Sequence, residues 1–83
     1  MKKFRAHFNV VLWPESEGGF TAVVPALPGC VTYGKTLAEA KKMAKDAIPG
    51  YLESLQKHGA PIPNDAHSLV ASLGLEYAEA SRR

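Results

Sequence analysis

The carboxylates are the first candidates for chemistry, because a metal-dependent nuclease needs several of them clustered around its cations. Between Lys3 and Ala38 the only acidic residues are Glu15 and Glu17, and both fall in a predicted turn. Glu39 follows Thr36 by three residues, which is the spacing of a helix cap, and we interpret it as a cap rather than as a base. The sequence therefore predicts no catalytic residues and no enzyme activity.

Histidine and cysteine form no pattern typical of a metal site or a nucleophile. His7, His58 and His67 are far apart in the chain, whereas zinc needs more ligands at closer spacing. Cys30 is the only cysteine, and no His or Asp lies near it in sequence to activate it. We expect a buried, unreactive thiol, no metal and no cofactor.

Composition limits the class of protein. A chain of 83 residues makes one small domain, and its single cysteine, which cannot form an internal disulfide, suits a reducing compartment. No apolar run approaches the roughly 18–20 residues that span a bilayer, and the alternating residues after Met1-Lys2-Lys3-Phe4 do not read as a signal peptide. We therefore expect a cytoplasmic protein that is not bound to membrane.

Three stretches predict strands. Residues 3–13 alternate apolar and polar up to Pro14, and a polar turn with two glycines separates them from a second strand over 20–24. The two should pair as an antiparallel hairpin. The segment 25–29 holds two prolines and cannot continue a strand, so the chain should reverse there into a third strand over 30–33.

A long helix follows, from the Thr36 cap to about His58, with apolar residues close to a 3.6-residue period. Pro49 lies inside it, and because the apolar stripe stays in phase we expect one kinked helix rather than two. Gly59 is a natural residue to end it. After Asp65 the sequence fits either a short helix or a short strand.

These elements predict an α+β fold, in which an antiparallel sheet of three to four strands carries one long helix on one face (β-β-β-α). The predicted domain covers residues 1–63, and residues 64–83 form a short tail. The opposite face of the sheet should be apolar, and such a face usually binds a partner. The residues predicted there, for partner binding or oligomerisation, are Val11, Trp13, Thr21 and Val23.

Four pieces of sequence, in order, also resemble a known family: Gly18-Gly19-Phe20, Pro25-x-Leu27-Pro28-Gly29-Cys30, Gly34-x-Thr36-x-x-Glu39-Ala40 and Ala47-Ile48-x-x-Tyr51-Leu52. Together, over residues 4–63, they are similar to the HicB family of antitoxins. The resemblance implies a partial RNase H-like fold without the nuclease carboxylates. It also implies a protein that binds and blocks a HicA-type toxin, an mRNA-cleaving ribonuclease, by steric occlusion, and that self-associates as a dimer or tetramer.

Many members of that family carry a C-terminal DNA-binding domain. About twenty residues follow Asn64, too few for such a domain, so we do not expect this chain alone to bind DNA. The chain is either an N-terminal fragment or a stand-alone relative. Two further departures from the family pattern are Ala26, where an acidic residue is frequent, and Pro49.

Two other functions stay open at this stage. The chain could be a homo-oligomeric protein-binding module without a toxin. It could also bind nucleic acid weakly through exposed lysines, although a net charge of +2 is a weak indication of that. The lysines in question are Lys41, Lys42, Lys45 and Lys57.

Overall fold

The computed structural model describes residues 3–80 and has the predicted β-β-β-α order. The strands are β1 (Val11–Pro14), β2 (Phe20–Val23) and β3 (Val31–Gly34), and they are followed by the helix α1 (Leu37–Lys57). β2 lies between β1 and β3 and pairs antiparallel with both. This confirms the α+β class, with three strands in the sheet.

The first strand is shorter than predicted. Only Val11–Pro14 is paired, and residues 3–10 approach the sheet without joining it. The reason is the length of β2, which ends at Val23 just before the chain turns away, so none of the described strands lies beside the earlier residues. Phe4 alternates in phase with Phe8 and would share the inner face of a longer strand, but it is 86% exposed, whereas Phe8 packs against the core.

The proline-containing segment 25–29 makes a tight corner between β2 and β3. The Leu27 N–H donates to the Val24 carbonyl, and the Cys30 N–H donates to that of Leu27. Gly29 has a positive φ of 84°, which glycine adopts without strain. Leu27 is fully buried, and from the helix the Tyr51 hydroxyl donates to the Pro28 carbonyl at 2.7 Å. The corner is therefore held by its own turns and by α1.

The predicted cap starts the helix, with one difference in detail. Thr36 Oγ1 accepts a hydrogen bond from the Glu39 N–H at 3.1 Å, and Glu39 Oε1 accepts one from the Lys35 N–H at 2.8 Å. Glu39 thus reaches one residue further back than the usual capping box requires. Both side chains are used by the backbone, which agrees with the interpretation of Glu39 as a cap.

The end of the helix also follows the prediction. Gly59 has a φ of 68°, its N–H donates to Gln56 and the Ala60 N–H donates to Leu55, which together form a Schellman motif. α1 continues through Pro49 as a single helix, and Pro49 is exposed.

The core is small and contains mainly short side chains. Its buried members are Ala22, Val24, Leu27, Cys30, Ala40 and Ala44. Alanines on the inner face of α1 let the helix backbone approach the sheet closely, mostly over β2 and β3. α1 is not apolar enough to cross a membrane, and no other helix of that length occurs in residues 3–80.

The tail leaves this core. Asn64 Oδ1 accepts from the His7 N–H at 3.1 Å, and the Asp65 N–H donates to the His7 carbonyl at 2.7 Å. After a turn at Ala66–His67, residues 68–80 form neither helix nor strand. The short helix or strand considered for this region is not present in the described chain.

Candidate protein-interaction surfaces

The sheet face that points away from α1 is a regular array of six side chains, which we call the open face. Strand register places them in two rows of three. One row is Val11, Val23 and Val31, and the other is Trp13, Thr21 and Tyr33. The four residues predicted from sequence therefore do share one face. Their role in binding stays a prediction.

Val31 and Tyr33 belong to the open face but were missed from sequence. They are 55% and 49% exposed, and Trp13 is 56% exposed. The sequence did contain a signal for them, because Val31 and Tyr33 alternate with Thr32, whose side chain faces the helix. Only the pairing of β3 with β2 shows that this alternation continues the surface begun by Trp13.

One end of the open face is polar and acidic. Thr21 Oγ1 donates to Glu15 Oε2 at 2.6 Å, and the Tyr33 hydroxyl donates to the Gly18 carbonyl at 2.9 Å. Glu15, Glu17 and Ser16 surround a shallow, mostly polar depression there. The face thus combines an apolar centre with a carboxylate-rich edge, an arrangement suited to a partner with both apolar and basic groups.

The glycines of the family motif allow backbone conformations and close contacts that a side chain would prevent. Gly18 and Gly19 have φ angles of 105° and 81°, and a Cβ on Gly19 would overlap the Tyr33 ring. A Cβ on Gly34 would overlap the backbone of Ala40. The motif residues that make turns, corners, caps or core contacts are Gly18, Gly19, Phe20, Pro25, Leu27, Pro28, Gly29, Cys30, Gly34, Thr36, Glu39 and Ala40.

Cys30 belongs to the core and not to a reactive site. It is 6% exposed, and burial raises the pKa of its thiol, so that the thiol is protonated at neutral pH. No cluster of three or more His, Cys, Asp or Glu side chains that could hold a metal occurs within residues 3–80.

Two of the four candidate nucleic-acid-binding lysines are paired with carboxylates. Lys42 Nζ lies 2.9 Å from Asp46, and this hydrogen bond and the adjacent charge raise the pKa of Lys42. Lys57 lies 3.3 Å from Glu53. Lys41 and Lys45 have no carboxylate within ion-pair distance among the described residues. Of the four lysines, only Lys41 and Lys45 therefore carry a positive charge that no paired carboxylate of the described chain balances.

A second surface lies beside β1, where α1 leaves the inner face of that edge strand uncovered. We call it the lateral groove. Phe8, Val10 and Leu12 form one side, and Leu37 and Ile48 the other. The groove is open, has a volume of about 850 Å³, and carries lysines along its helix side: Lys41, Lys42 and Lys45.

Comparison with known proteins identifies the family of this chain. The model of the HicB-like antitoxins of bacterial toxin–antitoxin systems matches residues 8–81. The chain belongs to the HicB-like antitoxin family. The match runs through the open face, the lateral groove and most of the tail.

Relatives of this HicB-like chain fall into two groups, which differ in how much of their own length the match covers. A UPF0150 protein of Thermoplasma acidophilum is 47% identical over 58 residues, which cover 70% of this chain and 84% of that protein. A UPF0150 protein of Helicobacter pylori is 34% identical over 64 residues, or 77% and 89% of the two chains. Antitoxin HicB of Escherichia coli K12 is 32% identical over 75 residues, which cover 86% of this chain but 54% of that protein.

Proposed function

We propose that this HicB-like protein binds a HicA-type mRNA-cleaving toxin and neutralises it by steric occlusion. The observation that carries the proposal is the family match over residues 8–81, supported by the similarity to Antitoxin HicB of Escherichia coli. Occlusion requires a preformed surface and no reacting groups. The protein would act in the cytoplasm, as a binding protein and not as an enzyme.

The open face is the surface best suited to that contact. Trp13 and Tyr33 are large aromatic residues, a class enriched among the residues that dominate binding energy at protein interfaces. Both are held by the sheet, so little conformational entropy is lost when they are buried by a partner. Val31, 55% exposed, extends the apolar centre.

The acidic end of the face adds a preference for a particular kind of partner. A protein that cleaves mRNA must hold a polyanion, and it therefore presents basic side chains on the surface that binds RNA. Glu15 and Glu17 lie at the edge of the open face and would oppose such side chains. Covering that surface with carboxylates would exclude RNA both by volume and by charge.

Co-expression tests the proposal. The full chain is expressed in bacteria together with a HicA-type toxin encoded beside its gene. We expect growth to be restored and the two proteins to co-purify. Continued growth arrest, with the antitoxin present in soluble form and no complex on affinity purification, would contradict it.

A homo-oligomeric binding module without a toxin is the second candidate function. It is favoured by the exposed apolar residues of the tail, of which Leu69 is 96% and Tyr77 86% exposed. Both functions allow self-association, so light scattering alone does not separate them. Co-expression does, because a module without a toxin would assemble and yet fail to restore growth.

A further inference from the structure

The tail, residues 68–80, has the pattern of a strand without being one. Alternate residues are apolar, and the large ones among them are almost fully exposed: Leu69, Leu73, Leu75 and Tyr77. The residues between them are mostly small or polar, including Ser72 and Glu76, with Val70 as the exception. The alternation runs over residues 69–77, and a period of two over this length is typical of a strand with one buried face. Exposed apolar residues in such a row indicate that something covers them.

The tail also extends well away from the core. The molecule measures 64 × 27 × 23 Å, and its radius of gyration is 16.8 Å. A compact chain of this length would have a radius of gyration of about 12 Å. Thirteen extended residues span about 43 Å, which is far enough to reach across a neighbouring molecule.

The lateral groove has an apolar surface and a free strand edge that could bury and pair with the tail. Its apolar sides, formed by β1 and α1, are open to solvent, and β1 is an edge strand with β2 as its only neighbour among the described strands. Such an edge offers unpaired backbone groups to an added strand. A strand laid along β1 and the segment before it would place its apolar face beside Phe8, Val10 and Leu12.

Charge favours the same pairing. Lys41 and Lys45 line the groove without a carboxylate partner in the described chain, and the tail carries Glu76 and Glu79. A basic toxin would be repelled by these lysines, whereas the acidic end of the tail would be attracted to them.

We propose that the tail of one molecule docks as an added strand along β1 in the lateral groove of a second copy, and that the exchange is reciprocal. A twofold symmetric dimer satisfies both grooves and both tails at once. The proposal does not rest on toxin binding, and it leaves the open face of each molecule accessible.

Isotope mixing with cross-linking tests the exchange directly. Heavy and light full-length chains are mixed before refolding, and a carbodiimide then joins carboxylates to lysines in contact. We expect peptides that link Glu76 or Glu79 to Lys41 or Lys45, including pairs of one heavy and one light chain. Links found only within a single isotope would mean that the tail folds back onto its own groove, and they would overturn the proposal. A complete absence of links between these glutamates and lysines would overturn it too.

Paired variants provide a second, independent measurement. In Leu73→Glu with Leu75→Glu the apolar face of the tail gains two charges. In Ser72→Glu with Ala78→Glu the same charges lie on the other face. We expect the first pair to raise the dimer dissociation constant by more than about a hundredfold, since each buried carboxylate loses its hydration. The second pair should leave the dimer mass unchanged by light scattering.

Both variants leave the core intact, because these residues are exposed, and circular dichroism checks the fold. A monomeric wild-type chain would overturn the proposal, and so would equal loss of dimer in both pairs. Toxin neutralisation is scored separately. Loss of the dimer with retained toxin binding would support the use of two surfaces. A wild-type chain that dimerises but does not bind the toxin would leave the exchange standing and refute only the proposed antitoxin function.

Discussion

Gly34 and Ala40 are in direct backbone contact, because the first turn of α1 lies on the end of β3. A Cβ added to Gly34 would overlap the backbone nitrogen and Cα of Ala40 and the carbonyl carbon of Glu39. This contact, and not a need for positive φ, explains the glycine. It also fixes the distance between the helix and the sheet.

The variant Gly34→Ala should therefore destabilise the fold. Backbone atoms cannot rotate out of the way as a side chain does, so we expect the free energy of unfolding to fall by about 1–3 kcal/mol. Urea denaturation followed by circular dichroism measures it. Gly50→Ala is the matched control, because that glycine lies in α1 with nothing near its missing Cβ. There alanine should stabilise by about 0.5–1 kcal/mol. Equal effects at the two positions would argue against the contact.

Removing the Tyr51 hydroxyl should loosen the proline corner. Tyr51→Phe keeps the ring and deletes the hydrogen bond to the Pro28 carbonyl. We expect a loss of about 1 kcal/mol in unfolding free energy. Tyr77→Phe is the control, because the Tyr77 hydroxyl has no hydrogen-bond partner among the described residues, and its removal should leave the unfolding free energy unchanged. A neutral Tyr51→Phe would mean that the corner is held by its own turns alone.

Thr32→Val should stabilise the protein. Thr32 Oγ1 is buried on the helix side of β3 and has no hydrogen-bond partner within the described residues. An unsatisfied buried hydroxyl costs about 1–3 kcal/mol, and valine fills nearly the same volume without that cost. Thr21→Val serves as the contrast, since its hydroxyl donates to Glu15. A decrease in melting temperature for Thr32→Val would contradict the expectation.

Stability should fall at alkaline pH through Cys30. In the unfolded chain this thiol ionises near its ordinary pKa of 9.0, whereas in the folded chain burial raises that pKa. The native state thus holds more protons above pH 9, and unfolding becomes easier as the pH rises further. Cys30→Ala should show a shallower loss of unfolding free energy between pH 8 and pH 10, a window of about two pH units around the unfolded pKa. Identical slopes would remove Cys30 as the cause.

Trp13→Glu should abolish toxin binding while leaving the fold intact. Trp13 is exposed on the open face, at the end of its row on the edge strand β1, and a carboxylate there would be buried without a partner in any complex that covers the face. Co-purification with the toxin should decrease by more than about tenfold. Met43→Glu places the same charge at an exposed apolar position of α1 and should still bind. Loss of binding in both variants would place the contact elsewhere.

The sequence predicted most of the fold, because the residues that specify it act locally. Thr36 and Glu39 indicate the start of the helix, and Gly59 indicates its end. The two prolines of the corner indicate the break between β2 and β3. Each of these acts through neighbours within a few residues. The length of β1 could not be predicted, since it depends on where β2 stops.

The candidate surfaces were harder to predict because they combine distant residues. Trp13 and Tyr33 meet only through the register of two hairpins, and the lateral groove exists because α1 leaves β1 uncovered. Val11, Trp13, Thr21 and Val23 were grouped by parity along two adjacent strands, which identified four of the six residues of the face. The division between a domain over 1–63 and a tail over 64–83 stays a prediction.

The clasp between His7 and the Asn64–Asp65 pair joins residues that are 57 positions apart in the chain. The Asn9 N–H also donates to Asp65, so residues 7–9 have no fixed backbone partners until Asp65 has left the ribosome. β2, β3 and α1 can assemble before that moment. Residues 7–9 are therefore fixed in place only after the rest of the domain has been made, whereas β1 can pair with β2 before that.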